Sequence, residues 1–314
     1  MIRFVSCVLG GLFAATLPLH AAPPADAPPT TPGETVCGAP PYTRAMLETL
    51  TQTELAAMSA PARRSLALAL LPCLEVADPV MRDDIAFRVI ARLMRNDYVD
   101  DATLRTIERE LRGRLRPNDG SNDGFAHAFA VLVLADVAGV DARRPFLTER
   151  ERARLLDAAT RYMRELRDWR GFDPKEGWRH GVAHGADLLE RLAANPAFDA
   201  THLAEILDAI AHQTAPDADH YYIYGESERL AAAAVSVAQR GLVDARAWAE
   251  WLDRVSGPGR FENWNAVYGS SAGLARRHDT YAFLAAFELA LRDADDAKLA
   301  ALAAETARRR RTLQ

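Results

Sequence analysis

The sequence predicts an all-α protein, and three observations carry that expectation. Apolar residues recur at three- and four-residue spacing in one segment after another from Tyr42 onward. These segments open on helix-capping residues and are joined by short links marked by Gly, Pro, Asn or Asp. Only residues 221–224 look strand-like, and so short a run cannot found a sheet. Composition agrees. Of 314 residues, 49% are hydrophobic and 26% charged, and 43 acids against 38 bases leave a formal net charge of −5. A disordered chain would carry fewer apolar residues and more net charge. The acidic balance also argues against nucleic acid as a partner, because phosphates are repelled unless a separate basic face is present.

The elements follow in order. Arg3 supplies a positive start, residues 4–17 are apolar and uncharged, and Leu19-His20-Ala21-Ala22 offers small residues for cleavage. Residues 1–22 therefore read as an export signal, with the cut after Ala21 or Ala22. The apolar run falls short of the about 20 residues a membrane anchor needs. No later stretch is expected to cross a membrane, so the chain reads as periplasmic or secreted, without stable membrane insertion. Residues 23–41 hold seven of the 17 prolines and read as an extended tether. Cys37 and Cys73 survive cleavage, and in an oxidising compartment such a pair suggests a disulfide.

Residues 42–313 then form one helical domain. Asp78-Pro79 is a helix start, with Ile85, Val89 and Leu93 on one face. A second helix from Asp101 carries Leu104, Ile107, Leu111 and Leu115. Thr148 and Glu151 form a capping box before Leu155 and Leu156. Further helices are expected at 123–138, 177–194, 201–213, 226–240, 244–255 and 278–293, with a last one from 295 to the basic end at Arg308-Arg309-Arg310-Arg311. Helices so linked make antiparallel αα-hairpins, either in an open, solenoid-like (HEAT-like) array or in a closed α/α toroid.

The segment 177–194 holds the main candidate site. Read as a helix, it puts Trp178, Val182, Ala186, Leu189 and Ala193 on a core face. His180, His184, Asp187 and Arg191 fall on the opposite face. Two histidines at i and i+4 with a carboxylate one turn on match a helical divalent-metal site, with His180, His184 and Asp187 as ligands. The plainer alternative is a polar face with Asp187 paired to His184 or Arg191. Gly177, Gly181 and Gly185 cost about 1 kcal/mol each against Ala inside a helix, which suggests close approach of a neighbour.

Other motifs point less far. Asp119-Gly120-Ser121-Asn122-Asp123-Gly124 opens like a calcium loop, but its twelfth position is Ala130, where a bidentate Glu is required. Gly269-Ser270-Ser271-Ala272-Gly273 matches a nucleophile elbow in letters, without the preceding strand. Tyr221, Tyr222, Tyr224, Trp264 and Tyr268 are candidates for an aromatic groove, or else ordinary packing residues. His127, close to Phe125 and Phe129, reads as a satisfied interior histidine.

The run Gly177-Trp178-Arg179-His180-Gly181-Val182-Ala183-His184-Gly185-Ala186-Asp187-Leu188-Leu189 resembles the bacterial family known as domain of unknown function 2785. Asp123-Gly124-Phe125, Phe146-Leu147-Thr148 and Glu228-Arg229-Leu230 are similar to it as well. The likeness spans roughly residues 78–292. It implies an all-helical domain and no assigned activity. Gly181 and Arg179 depart from the family pattern, which expects a small residue such as Ala at the first and no charge at the second.

Two functions follow as expectations. The first is a binding or scaffold module for a peptide, protein or glycan, with Trp178, His180, His184, Asp187 and Arg191 as binding residues. The second is an enzyme, such as a metal-assisted hydrolase using the His180/His184/Asp187 face. The first is preferred because no complete catalytic constellation is visible.

Overall fold

A computed structural model describes Cys37 and residues 42–50, 52–115 and 124–313. The leader, most of the tether and residues 119–123 of the calcium-like loop lie outside the described residues. Short helices α1 (Arg44–Glu48), α2 (Gln52–Ala57) and α3 (Ala60–Ala69) come first. Thr43 and Ser59 cap α1 and α3 by accepting from Met46 N–H and Ala62 N–H. A 3-10 turn, Leu71–Glu75, leads to a π-helical stretch, Val80–Phe87, that runs into α4 (Arg88–Arg95). Ile85, Val89 and Leu93 are buried as their spacing predicts. Cys37 and Cys73 are joined as a disulfide, with Cα atoms 5.5 Å apart.

The longer helices follow: α5 (Asp101–Gly113), α6 (Phe125–Arg143), α7 (Glu149–Glu165), α8 (Gly181–Ala194), α9 (Ala200–Thr214), α10 (Glu226–Gln239), α11 (Ala245–Val255), α12 (Ser271–Arg292) and α13 (Ala297–Arg311). The capping box of α7 is complete, with Thr148 N–H donating to Glu151 and Glu151 N–H to the Thr148 hydroxyl. Asp100, Asp199, Asp244 and Asp296 cap α5, α9, α11 and α13 in the same sense. One two-stranded hairpin, β1 (Phe172–Asp173) with β2 (Gly177–Trp178), is the sole sheet among the described residues.

Helices α4, α6, α8, α10 and α12 pack in sequence, each on the next. Helices α5, α7, α9, α11 and α13 do the same in a second row, and α7 and α9 also pack on α8. Trp248 of α11 meets Phe287 of α12, and Trp251 meets Phe283 and Phe287, each with ring centroids 5.9 Å apart.

Several expectations change. The helix foreseen from Gly177 begins at Gly181, because 177–178 belong to the hairpin and His180 breaks the turn with φ 56°. Trp178 consequently leaves the core. Helix α12 starts at Ser271 and not at 278, because the Ser270 hydroxyl caps it by accepting from Gly273 N–H. The apparent nucleophile elbow is this cap, preceded by a 3-10 turn, Ala266–Gly269. Residues 221–224 pair with no strand. Helix α6 is long and apolar enough to cross a membrane, with mean hydropathy 1.7, contrary to the expectation for every segment after the leader. Its window is 72% buried, against α8, α5 and α4. A helix apolar all round fits such a position.

Candidate functional site

The hairpin is fixed from below by two arginines. Arg82, fully buried, donates to the Val76 and Ala77 carbonyls at 3.0 and 3.2 Å and to the Glu176 carbonyl at 2.8 Å. Its guanidinium lies 3.8 Å from the Phe125 ring centroid, and that of Arg179 lies 4.4 Å from the same ring. Asp83, beside Arg82, is pushed up to about 6 because burial outweighs the attraction of the guanidinium. Asp173 closes the turn by accepting from Lys175 and Glu176 N–H at 2.8 and 2.9 Å. Arg179 N–H to Gly171 and His180 N–H to Arg170 continue the pairing beyond the strands.

That frame holds three rings at the surface. Phe172, Trp178 and Tyr224 are 44%, 39% and 37% exposed. Trp178 meets Phe172 at 5.0 Å and Tyr224 edge-on at 5.8 Å. On one side Trp178 is stacked against His180 at 4.8 Å with an interplanar angle of 29°. Tyr224 lies tight on Gly171, where an added Cβ would come within 2.1 Å of its ring. The result is an indole backed on one face and framed at its edges.

Beneath it the histidines are set by carbonyls. His180 Nε2 lies 3.0 Å from the Tyr224 carbonyl, so Nε2 carries the proton. His184 Nδ1 lies 3.0 Å from the Ala128 carbonyl, so there the proton is on Nδ1. The rings are 5.6 Å apart, edge to face. His180 is lowered to about 4 and His184 to about 3, first by burial, with His180 adding to the effect on His184 and the nearby Arg229 charge acting in the same direction on both. Both are neutral imidazoles at pH 7. Glu226, at the first turn of α10, accepts from Tyr224 N–H at 2.9 Å through Oε2. Its Oε1 is buried without a hydrogen bond, 3.7 Å from His180 Nε2. Burial raises its carboxyl above the usual range.

The structure brings Trp178, His180 and His184 together but turns Asp187 elsewhere. Arg229 Nη1 sits 2.5 and 2.6 Å from the two Asp187 oxygens. The partner foreseen for Asp187 was His184 or Arg191 on its own helix, and the actual one comes from α10. Arg191 is exposed. No group of three or more His, Cys, Asp or Glu is placed to hold a metal ion among the described residues. His180, His184 and Asp187 do not form such a group, since Asp187 is held by Arg229 while the two imidazoles face each other.

Gly181 and Gly185 do serve close packing. An added Cβ would meet the Tyr162 hydroxyl at 2.8 Å and Met163 Sδ at 2.2 Å on α7. Gly177 lies off the helix, at φ 77°. His127 is buried with Nδ1 2.7 Å from the Arg114 carbonyl, as an interior histidine should be. Of the candidate aromatic groove, Tyr224 joins the platform while Tyr222 is buried. Arg309 pairs with Asp253 at 2.9 Å and Arg310 with Glu288 at 2.8 Å. Phe172 and Glu226 were not anticipated. The Pro-Lys-Glu-Gly turn before Trp178 signals a hairpin and would have found Phe172. Nothing local to Glu226 announces its burial.

Fold and site define an all-α protein of packed helices with a small β-hairpin that carries exposed aromatic rings. The family described as protein of unknown function (DUF2785) matches residues 111–289, more than half of the chain, and the chain belongs to it. No curated protein and no solved structure matches the chain.

Proposed function

We propose that the chain is an exported binding module that holds a glycan, peptide or protein segment on the Trp178 platform. The observation that carries this reading is the exposed indole, stacked on neutral His180 and framed by Phe172 and Tyr224. An aromatic face carries negative charge density, and the C–H face of a sugar or the edge of another ring presents the complementary positive charge. Backing by a packed imidazole fixes the ring before binding, so little side-chain entropy is lost. Trp and Tyr are also the residues most often dominant in binding surfaces.

Two further readings accompany it. The packing of α4, α6, α8, α10 and α12 in one row supports an open, solenoid-like array, since neither α12 nor α13 packs back on α3–α5 as an extended interface. The leader-like residues 1–22 and the Cys37–Cys73 bridge support export to an oxidising compartment. Metal-assisted hydrolysis would need Asp187, which Arg229 occupies. Probing a glycan and peptide array with the purified chain, then with Trp178→Ala, tests the reading. Specific signals that vanish in the variant are expected, and signals unchanged by the substitution would overturn it.

A further inference from the structure

A second concavity shares no residue with the platform. It lies between α11, α13 and the end of α10, with a volume of about 590 Å³. Ala238, Leu242, Val243, Trp248, Leu299 and Leu302 form its apolar lining. Small-molecule sites typically enclose about 300–1,000 Å³. Four charged residues also line it: Asp244, Lys298, Glu305 and Arg308. Three of them are committed. Asp244 caps α11, accepting from Ala247 N–H at 2.8 Å. Glu305 is paired with Arg308 and, at 3.2 Å, with Arg309. Lys298 is exposed and makes no ion pair among the described residues, leaving one uncommitted positive charge at an apolar groove.

We propose that this groove binds a single-chain anionic amphiphile, with a long-chain carboxylate as the simplest case. The alkyl tail would lie along Leu242, Val243, Trp248, Leu299 and Leu302, where each methylene withdrawn from water favours binding. The carboxylate head would meet the Lys298 ammonium. One uncommitted cation at the groove suits one carboxylate head, whereas holding an anionic bilayer takes a cluster of Lys or Arg. The proposal is independent of the platform's function.

Isothermal titration calorimetry with dodecanoate, held below its micellar concentration, tests it, with dodecyltrimethylammonium as the same tail under the opposite charge. One saturable dodecanoate site is expected in the wild type, weakened at least tenfold by Lys298→Glu. The same variant should improve binding of the cationic analogue. Ala301→Trp, at an exposed lining position, should abolish both while leaving the circular dichroism spectrum unchanged. No saturable dodecanoate binding would overturn the proposal, as would affinity indifferent to both variants or association only with phosphatidylglycerol vesicles. Sedimentation showing a dimer that Ala301→Trp dissolves, without dodecanoate binding, would assign the groove to a second copy and overturn it too.

Discussion

His184 shows how a residue read as a ligand becomes a packing element. Its buried ring donates to the Ala128 carbonyl of α6, meets Phe129 edge-on at 5.6 Å and lies 5.6 Å from the His180 ring. Enclosure holds its pKa at about 3, against an ordinary 6.5. A histidine depressed in the folded state contributes stability that is complete above its unfolded pKa. That stability is lost as pH falls from about 6.5 toward the folded value, because only the unfolded chain then binds the proton. The slope is about 1.4 kcal/mol per pH unit while the difference lasts. Buried carboxylates such as Asp83 and Glu226, with raised pKa values, act in the opposite sense. The comparison with His184→Asn isolates the histidine. Denaturation between pH 6 and 4.5 should lose stability more steeply in the wild type than in the variant, by up to one proton's slope. Parallel curves would contradict the assignment.

At the scale of elements, what the sequence made legible is what local chemistry controls. The Thr148–Glu151 box and the buried stripes of Ile85, Val89 and Leu93 and of Leu104, Ile107, Leu111 and Leu115 are decided within a few residues, and they stand where they were expected. The start of α8 was misread because a helical count continues smoothly through Trp178 and His180. The hairpin wins there by Arg82 reaching from 94 residues away to the Glu176 carbonyl, a contact no local pattern encodes. The glycines were legible in purpose, since α8 approaches α7 closely at Gly181 and Gly185. Gly185→Ala gains about 1 kcal/mol of helix propensity but forces Met163 aside, and such overpacking costs about 1–3 kcal/mol. Urea denaturation should therefore show net destabilisation, and a higher midpoint would contradict the close approach. The bridge is the second element-scale test. It closes a 36-residue separation, for which the chain-entropy account gives about 4 kcal/mol. Cys37→Ala should lower stability by that order, and an unchanged denaturation midpoint would mean the bridge does not form.

Across the whole molecule, two rows of packed helices carry the hairpin and its exposed rings. Phe172, Trp178 and Tyr224 come from segments up to 52 residues apart and are held by contacts to α6, the π-helical stretch and α10. The surface is thus a property of the assembled fold, which explains why sequence reading found Trp178 and Tyr224 separately and placed the first of them in the core. Truncating a central aromatic anchor costs at least about 2 kcal/mol of binding, roughly 30-fold in affinity. Because Trp178 is substantially exposed, its removal should leave the fold in place. The most direct test is the dissociation constant of an array-selected glycan or peptide for wild type, Trp178→Phe and Trp178→Ala, with thermal unfolding measured in parallel. The account predicts a loss of roughly 30-fold in Trp178→Ala, partial retention in Trp178→Phe and little change in Tm. Equal affinity across the three proteins, with the fold intact, would contradict it.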